Sequence, residues 1–204
     1  MIAIPQCLDF PADTSIRKIC DFYMQMLKLK NEDIYHHSQQ VANYAASTAA
    51  KLGLSPSEVS NIKTAAQLHD LGLLGVPNLI LNKRPYLSTR EMSVYKRHCV
   101  SGACMLENIP ELTHIADIIR SHHEKWNGTG YPKRLKGANI PIGARIVAVA
   151  DYYDNCLNPC TQFWQQEHAN AIVALQDKSG LDFDPVVVKA FIESVITANQ
   201  AENK

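Results

Sequence analysis

The sequence predicts an all-α fold, a helical bundle. Three observations carry this expectation. Apolar residues recur every three or four positions along most of the chain, capping signatures precede several of these runs, and few segments alternate as strands do. With 204 residues, 46% of them hydrophobic, the chain is long enough to bury a core of its own.

Each element follows from a local pattern. Ile16, Ile19, Phe22 or Tyr23, Met26 and Leu29 predict an amphipathic helix over 14–29. Val41, Tyr44, Ala45, Thr48 and Leu52 predict a second over about 36–52, stopped by Gly53. "SPSE" at 55–58 is a helix start, with Ser55 as N-cap, Pro56 at the first position and Glu58 closing a capping box; that helix runs to about Asp70. "STRE" at 88–91 repeats the signature and opens a helix to about Asn108. "PELTHIADIIRSHHE" opens another, with Ile115, Ile118, Ile119 and His122 along one side. Residues 141–157 and 166–178 read as helical, and Asp184 before Pro185 caps a last helix facing inward through Val187, Val188, Phe191 and Val195. The irregular stretches 72–87 and 124–140, rich in Gly, Pro, Asn and Lys, are long for a compact helical domain, and such loops are usually functional or mobile.

Composition narrows the function. Twenty basic and 20 acidic side chains give no net charge, which argues against a bulk nucleic-acid or membrane-surface binder. No apolar run approaches the ~18 residues of a membrane span, and the first residues lack the pattern of a signal peptide, so a cytoplasmic location is expected. Cys7, Cys20, Cys99, Cys104, Cys156 and Cys160 form no CxxC pair and are expected to be free thiols packed as small hydrophobes. The four-residue spacing of Cys156 and Cys160 leaves a metal or redox role open.

The histidines point further. Any one of His36, His37, His69, His98, His114, His122, His123 and His168 is ordinary alone. Placement changes the odds: His37, His69-Asp70, His98, His122-His123 and Asp151 put imidazole or carboxylate on five predicted helices, which is how a bundle builds a metal site in its core. Consecutive helix residues diverge by about 100°, so neighbours converge on one cation only where the helix unwinds. The pairs His69-Asp70 and His122-His123 both fall at predicted helix ends. Imidazole with carboxylate suits iron, manganese or zinc better than calcium or magnesium.

Four stretches carry a family resemblance: "LHDLGLLGVP" (68–77), "KRHCVSGACML" (96–106), "HHEKWNGTGYP" (122–132) and "IPIGARIVAVADYYD" (140–154). With "YHHSQQVANYA" (35–45) before them and "SGLDFDPVVVKAF" (179–191) after, their order and spacing resemble the HD-GYP domain. The likeness covers about 32–196, which suggests a helical extension over 1–31 and the domain over 32–204. It implies an HD-type bundle that hydrolyses cyclic di-GMP through two divalent metals, iron favoured and manganese or zinc possible. It implies as ligands His37, His69, Asp70, His98, His122, His123 and Asp151, with His37 preferred to His36 because Ser38 follows it. Asp70 would bridge the metals, and Asp33 is a candidate for a third. His114 and His168 match no ligand position. Tyr131, Gly130 and Lys83 are candidate substrate contacts, and Asp154, one turn after Asp151, is a candidate support for the ligands.

A metal pair would acidify a water and clamp the phosphate oxygens. The chain also departs from the family. Leu73 stands where relatives carry a lysine, and Cys160 and Phe163 fall about where basic residues grip the nucleotide; neither replacement offers an arginine's bidentate contacts. Lys83, Arg84, Lys125, Lys133, Arg134 and Lys136 flank the loops as other cations. The departures support a second expectation, a metal-binding signalling or docking domain with protein partners, and a third is hydrolysis of another nucleotide.

Overall fold

The computed structural model describes residues 12–83, 86–157 and 168–202. In chain order the helices are α1 (Ala12–Lys30), α2 (Glu32–Lys51), α3 (Pro56–Leu68), α4 (Asn78–Leu81), α5 (Thr89–Lys96), α6 (His98–Leu106), α7 (Thr113–Ser121), α8 (Ile142–Leu157), α9 (His168–Asp177) and α10 (Pro185–Glu202). Short 3-10 turns occupy Leu71–Gly75, Pro110–Leu112 and Gly137–Asn139. Among the described residues no strand forms.

Helix α2 is the hub, packing against α1, α3, α8 and α10. Beside Ile34 and Val41, its inward residues are small: Ser38, Ala42, Ala45, Thr48 and Ala49 are all buried, and small side chains let several helices approach one axis. Tyr44 on α2 meets Tyr153 on α8 at 5.3 Å and Phe191 on α10 at 5.8 Å, an aromatic cluster that ties the three helices. The caps at Ser55 and Ser88 form complete capping boxes with Glu58 and Glu91.

Two expectations about the helices need correction. In α1 the buried residues are Cys20, Met24 and Leu27, with Ile16, Ile19 and Tyr23 packed beside them, while Phe22, Met26 and Leu29 are exposed. Both stripes have helical period, so periodicity gave the helix but not the face that meets α2. Lys30 fastens the end of α1 by donating to the Val76 carbonyl at 2.8 Å. The helix expected from Ser88 to Asn108 is two helices. Arg97 bonds back to the Val94 carbonyl, three residues away, and the tightened step starts α6 at His98.

The site owes its spacing to a backbone crossing. Gly72, in the 3-10 turn after Asp70, lies directly on α6, where a Cβ would stand 2.0 Å from the His98 carbonyl oxygen and 2.7 Å from the Gly102 amide. A Cβ at Gly102 would in turn stand 2.9 Å from the Gly72 amide. No side chain larger than hydrogen fits between the two backbones, so Asp70 is held against His98. Gly72→Ala should therefore destabilise the fold by about 3 kcal/mol, seen as a lowered urea midpoint. The neighbouring Gly75, with nothing near its Cβ position, should tolerate alanine far better.

Candidate metal centre

Three histidines sit where helices end. His69 caps the C-terminus of α3, His122 caps that of α7, and His98 stands at the break between α5 and α6. Carbonyls in a last helical turn lack intrahelical amide partners, and each imidazole uses one. Nδ1–H of His69, His98 and His122 donates to Ala66, Tyr95 and Ile119 respectively, each at 2.7 Å. A carbonyl only accepts, so Nδ1 carries a proton in each, and in the neutral tautomer this leaves Nε2 facing the site without one.

His37 is held differently. From α2 its Nδ1 meets Asp154 Oδ2 at 2.6 Å and its Nε2 meets Asp151 Oδ1 at 3.0 Å, both carboxylates coming from α8. His36 points out, near Glu32. Asp70 lies between two groups: its Oδ2 is 3.5 Å from His69 Nε2 and its Oδ1 is 3.5 Å from His98 Nε2. Beyond the end of α7, His123 stacks on His122 with ring centres 4.1 Å apart and faces Tyr131 at 5.0 Å. The donor atoms of His37, His69 and Asp70 form one set, and those of His98, Cys99, His122 and His123 another, each set within 4.8 Å internally.

These donors fit a cation. His69 Nε2 is buried with no hydrogen-bond partner among the described residues. His98 Nε2 and His122 Nε2 face each other at 3.4 Å, although both rings already spend their proton on a carbonyl. Two lone pairs so placed repel unless a positive charge lies between them. Charge in the cluster follows burial and neighbours. Burial pushes His98 down, His122 to about 3 and His123 well below the usual histidine value. Burial opposes a charged His37 as well, but its bonds to Asp151 and Asp154 prevail and raise it. Burial would raise Asp70 and Asp151, yet the surrounding imidazoles hold both low.

The cluster floors a cavity of about 430 Å³ lined by His37, Asp70, His123 and Asp151 below and by Lys96, Lys125, Gly130 and Tyr131 around it. Its wall is the 124–140 loop. Glu124, buried, accepts from the amides of Lys133 at 2.6 Å and Leu135 at 3.0 Å. Gly130 passes so close that a Cβ would stand 2.3 Å from the Lys125 amide, and the Tyr131–Pro132 peptide is cis. Asp182 and Leu181 carbonyls accept from Trp126 and Asn127, fixing the loop to the segment before α10.

Other predicted residues lie elsewhere. Lys83 is turned to Glu91, at 2.9 Å, and Glu91 is already anchored in the Ser88 capping box of α5; Lys83 is not among the cavity's lining residues. Asp33 is exposed and also outside the lining. Leu73 is fully buried in the apolar core. Arg84, Cys160 and Phe163 lie outside the described residues. The sequence reading passed over Lys96, whose ammonium stands 4.9 Å from the Tyr131 ring centre, and Glu124. Lys96 had a signal, two positions before His98 at a helix end. Glu124 had one too, as an acid directly ahead of a Gly- and Pro-rich loop.

Fold and cluster together define an HD domain. The family model described as HD domain matches residues 21–187, a span that holds all seven expected ligands, and the chain belongs to that family. The chain is 34% identical over 182 residues to a cyclic di-GMP phosphodiesterase of Thermotoga maritima, covering 85% of this chain and 50% of that protein. It is 36% identical over 161 residues to 3'3'-cGAMP-specific phosphodiesterase 2 of Vibrio cholerae, covering 77% of this chain and 30% of that one. Among solved structures it is similar to Bd1817, an HDG"Y"P protein from Bdellovibrio bacteriovorus. The TM-score there is 0.66 and the identity 25%, over 79% of this chain and 52% of that one. The chain thus spans half or less of the length of these curated relatives. Among the described residues no helix is long and apolar enough to cross a membrane.

Two predictions follow from the geometry. Glu124→Ala strands two loop amides and should cost about 3 kcal/mol, with faster proteolytic nicking between 124 and 140 as the second readout. The pH dependence has a definite sign. His98, His122 and His123 bind protons near pH 6.5 when unfolded but less readily when folded, so acid favours the unfolded chain. His37 acts oppositely: its contribution is full below pH 6.5 and is lost as pH rises through its raised folded value. Three groups outweigh one, so the metal-free protein should lose at least about 2 kcal/mol between pH 7 and pH 5. Urea unfolding across that range would check it.

Proposed function

We propose that this domain is a metal-dependent phosphodiesterase acting on a cyclic dinucleotide, with cyclic di-GMP the favoured substrate and linear dinucleotide or GMP the product. One observation carries the reading: bare imidazole nitrogens and two low-pKa carboxylates converge on the floor of a cavity whose rim is cationic and aromatic. His37, His69, Asp70 and Asp151 would hold one divalent metal, and Asp70, His98, His122 and His123 a second. When bound, such a pair supplies Lewis acidity at the phosphodiester and lowers the pKa of a water nucleophile. Iron is favoured, with manganese or zinc as alternatives. The exposed position of Asp33 supports two metals rather than three.

The remaining groups bind and orient. Asp70 directs one oxygen to each histidine group and so suits a bridge. Asp154 holds the His37 ring, and Asn155 steadies Asp151 by donating to Oδ1 at 2.6 Å. Burial keeps the Tyr131 hydroxyl protonated, so it would donate to a phosphate oxygen or present its ring to a base. Lys96 and Lys125 supply cations to the cavity, and Leu73, buried in the core, supplies none; Lys125 also pairs with Asp182 at 3.0 Å. The names of the Thermotoga and Vibrio relatives favour a cyclic dinucleotide.

The burial of Leu73 favours a second reading, a domain that binds metal and nucleotide and signals to a protein partner without turnover. Metal-reconstituted protein incubated with cyclic di-GMP, 3'3'-cGAMP and a panel of other nucleotides separates the readings. Linear dinucleotide or GMP should form from cyclic di-GMP, and Asp70→Asn should slow this on the order of 10³-fold or more. Binding without product from any nucleotide, with metal present, would leave the signalling reading. Product from another nucleotide alone would reassign the substrate.

A further inference from the structure

Cys99 is a buried thiol with an unusual neighbour. It is fully buried among the core residues, but unlike Cys20 it is not part of the main apolar cluster and lies against the histidines. Its Sγ is 3.5 Å from His98 Nε2, and it belongs to the set whose donor atoms fall within 4.8 Å of one another. The same set contains the two facing nitrogens at 3.4 Å, and the adjoining His69 ring, 5.1 Å from His122 between centres, carries an Nε2 that makes no hydrogen bond among the described residues.

The distances have a definite meaning. A tetrahedral ion with nitrogen ligands at about 2.0–2.1 Å and sulfur at about 2.3 Å separates two nitrogens by about 3.3–3.4 Å, and nitrogen from sulfur by about 3.5–3.6 Å. The His98–His122 edge is 3.4 Å and the His98–Cys99 edge is 3.5 Å. Adjacent residues achieve this because His98 is the first residue of α6, directly after the tightened step at Arg97.

We infer that Cys99 is a thiolate ligand of the second metal position, beside His98, His122 and His123, and that this position selects zinc, cobalt or ferrous iron over manganese and magnesium. This rests on the metal-centre reading above. On coordination the S–H bond breaks, its electron pair forms the metal–sulfur bond, and the proton leaves to solvent. Asp70 Oδ1, 3.5 Å from His98 Nε2, stands near enough to expand those four donors to five when the metal is bound. The competing arrangement is a neutral thiol donating to His98 Nε2, which would occupy that lone pair.

Cobalt(II), added to the metal-free full chain, is the probe. The expected result is a near-ultraviolet thiolate-to-cobalt charge-transfer band in the unaltered protein. Cys99→Ser and Cys99→Ala should lose it while keeping their cobalt content. Cobalt bound without the band overturns sulfur ligation and leaves the metal centre standing. A band that persists in both variants assigns it to another cysteine and also overturns the inference. Failure to bind cobalt at all removes the metal-centre reading, and the inference with it. Should neither variant fold, X-ray absorption on the zinc-loaded unaltered protein decides: a sulfur scatterer at about 2.3 Å upholds the ligand, and nitrogen and oxygen alone overturn it.

Discussion

Everything at the centre depends on one repeated bond, an imidazole Nδ1–H given to a carbonyl three residues back. It occurs at His69, His98 and His122, each at the end of a helix. The bond satisfies an acceptor that the helix cannot, removes the freedom of the ring, and fixes which nitrogen carries the proton. Three rings oriented this way leave unprotonated nitrogens in a volume from which water is largely excluded. In such a place a neutral apolar packing gains nothing from them, whereas a cation gains all three. The short helices of the bundle are what make this possible, because the ends of α3, α5 and α7 each supply one anchor.

The carboxylates complete the arrangement by another route. Asp151 and Asp154 occupy successive turns of α8 and grip opposite sides of the His37 ring, while Asp70 reaches both histidine groups from the turn after α3. Placing carboxylates among imidazoles in a buried cluster costs desolvation, and their mutual attraction with the rings offsets it. The result is polarised, with His37 favouring its charged form and the α6–α7 histidines their neutral form.

Much of this was legible in the sequence where a residue type has only one good use. Ser55 with Glu58 and Ser88 with Glu91 announce helix starts through chemistry confined to four residues, and the structure forms both boxes. The His–Asp and His–His pairs at helix ends pointed to convergence, and the structure brings all of His37, His69, Asp70, His98, His122, His123 and Asp151 into one cluster. What escaped depends on relations between distant segments. Which stripe of α1 is buried was decided by α2, not by α1's own period. Lys83 was assigned to substrate from charge and loop position alone, and a neighbouring helix cap claims it. Lys96, on an exposed turn, reaches the cavity only because the 124–140 loop folds back to set Tyr131 beneath it.

The crossing of Gly72 over Gly102 has a mechanical result. Elsewhere in the bundle, side chains stand between helices and can absorb a small slide by changing rotamer. Here backbone rests on backbone, without a cushion, so any displacement of α6 is handed on to the turn bearing Asp70. The carboxylate between the two histidine groups therefore travels with one of them, and the gap it spans stays constant even when the surrounding helices breathe.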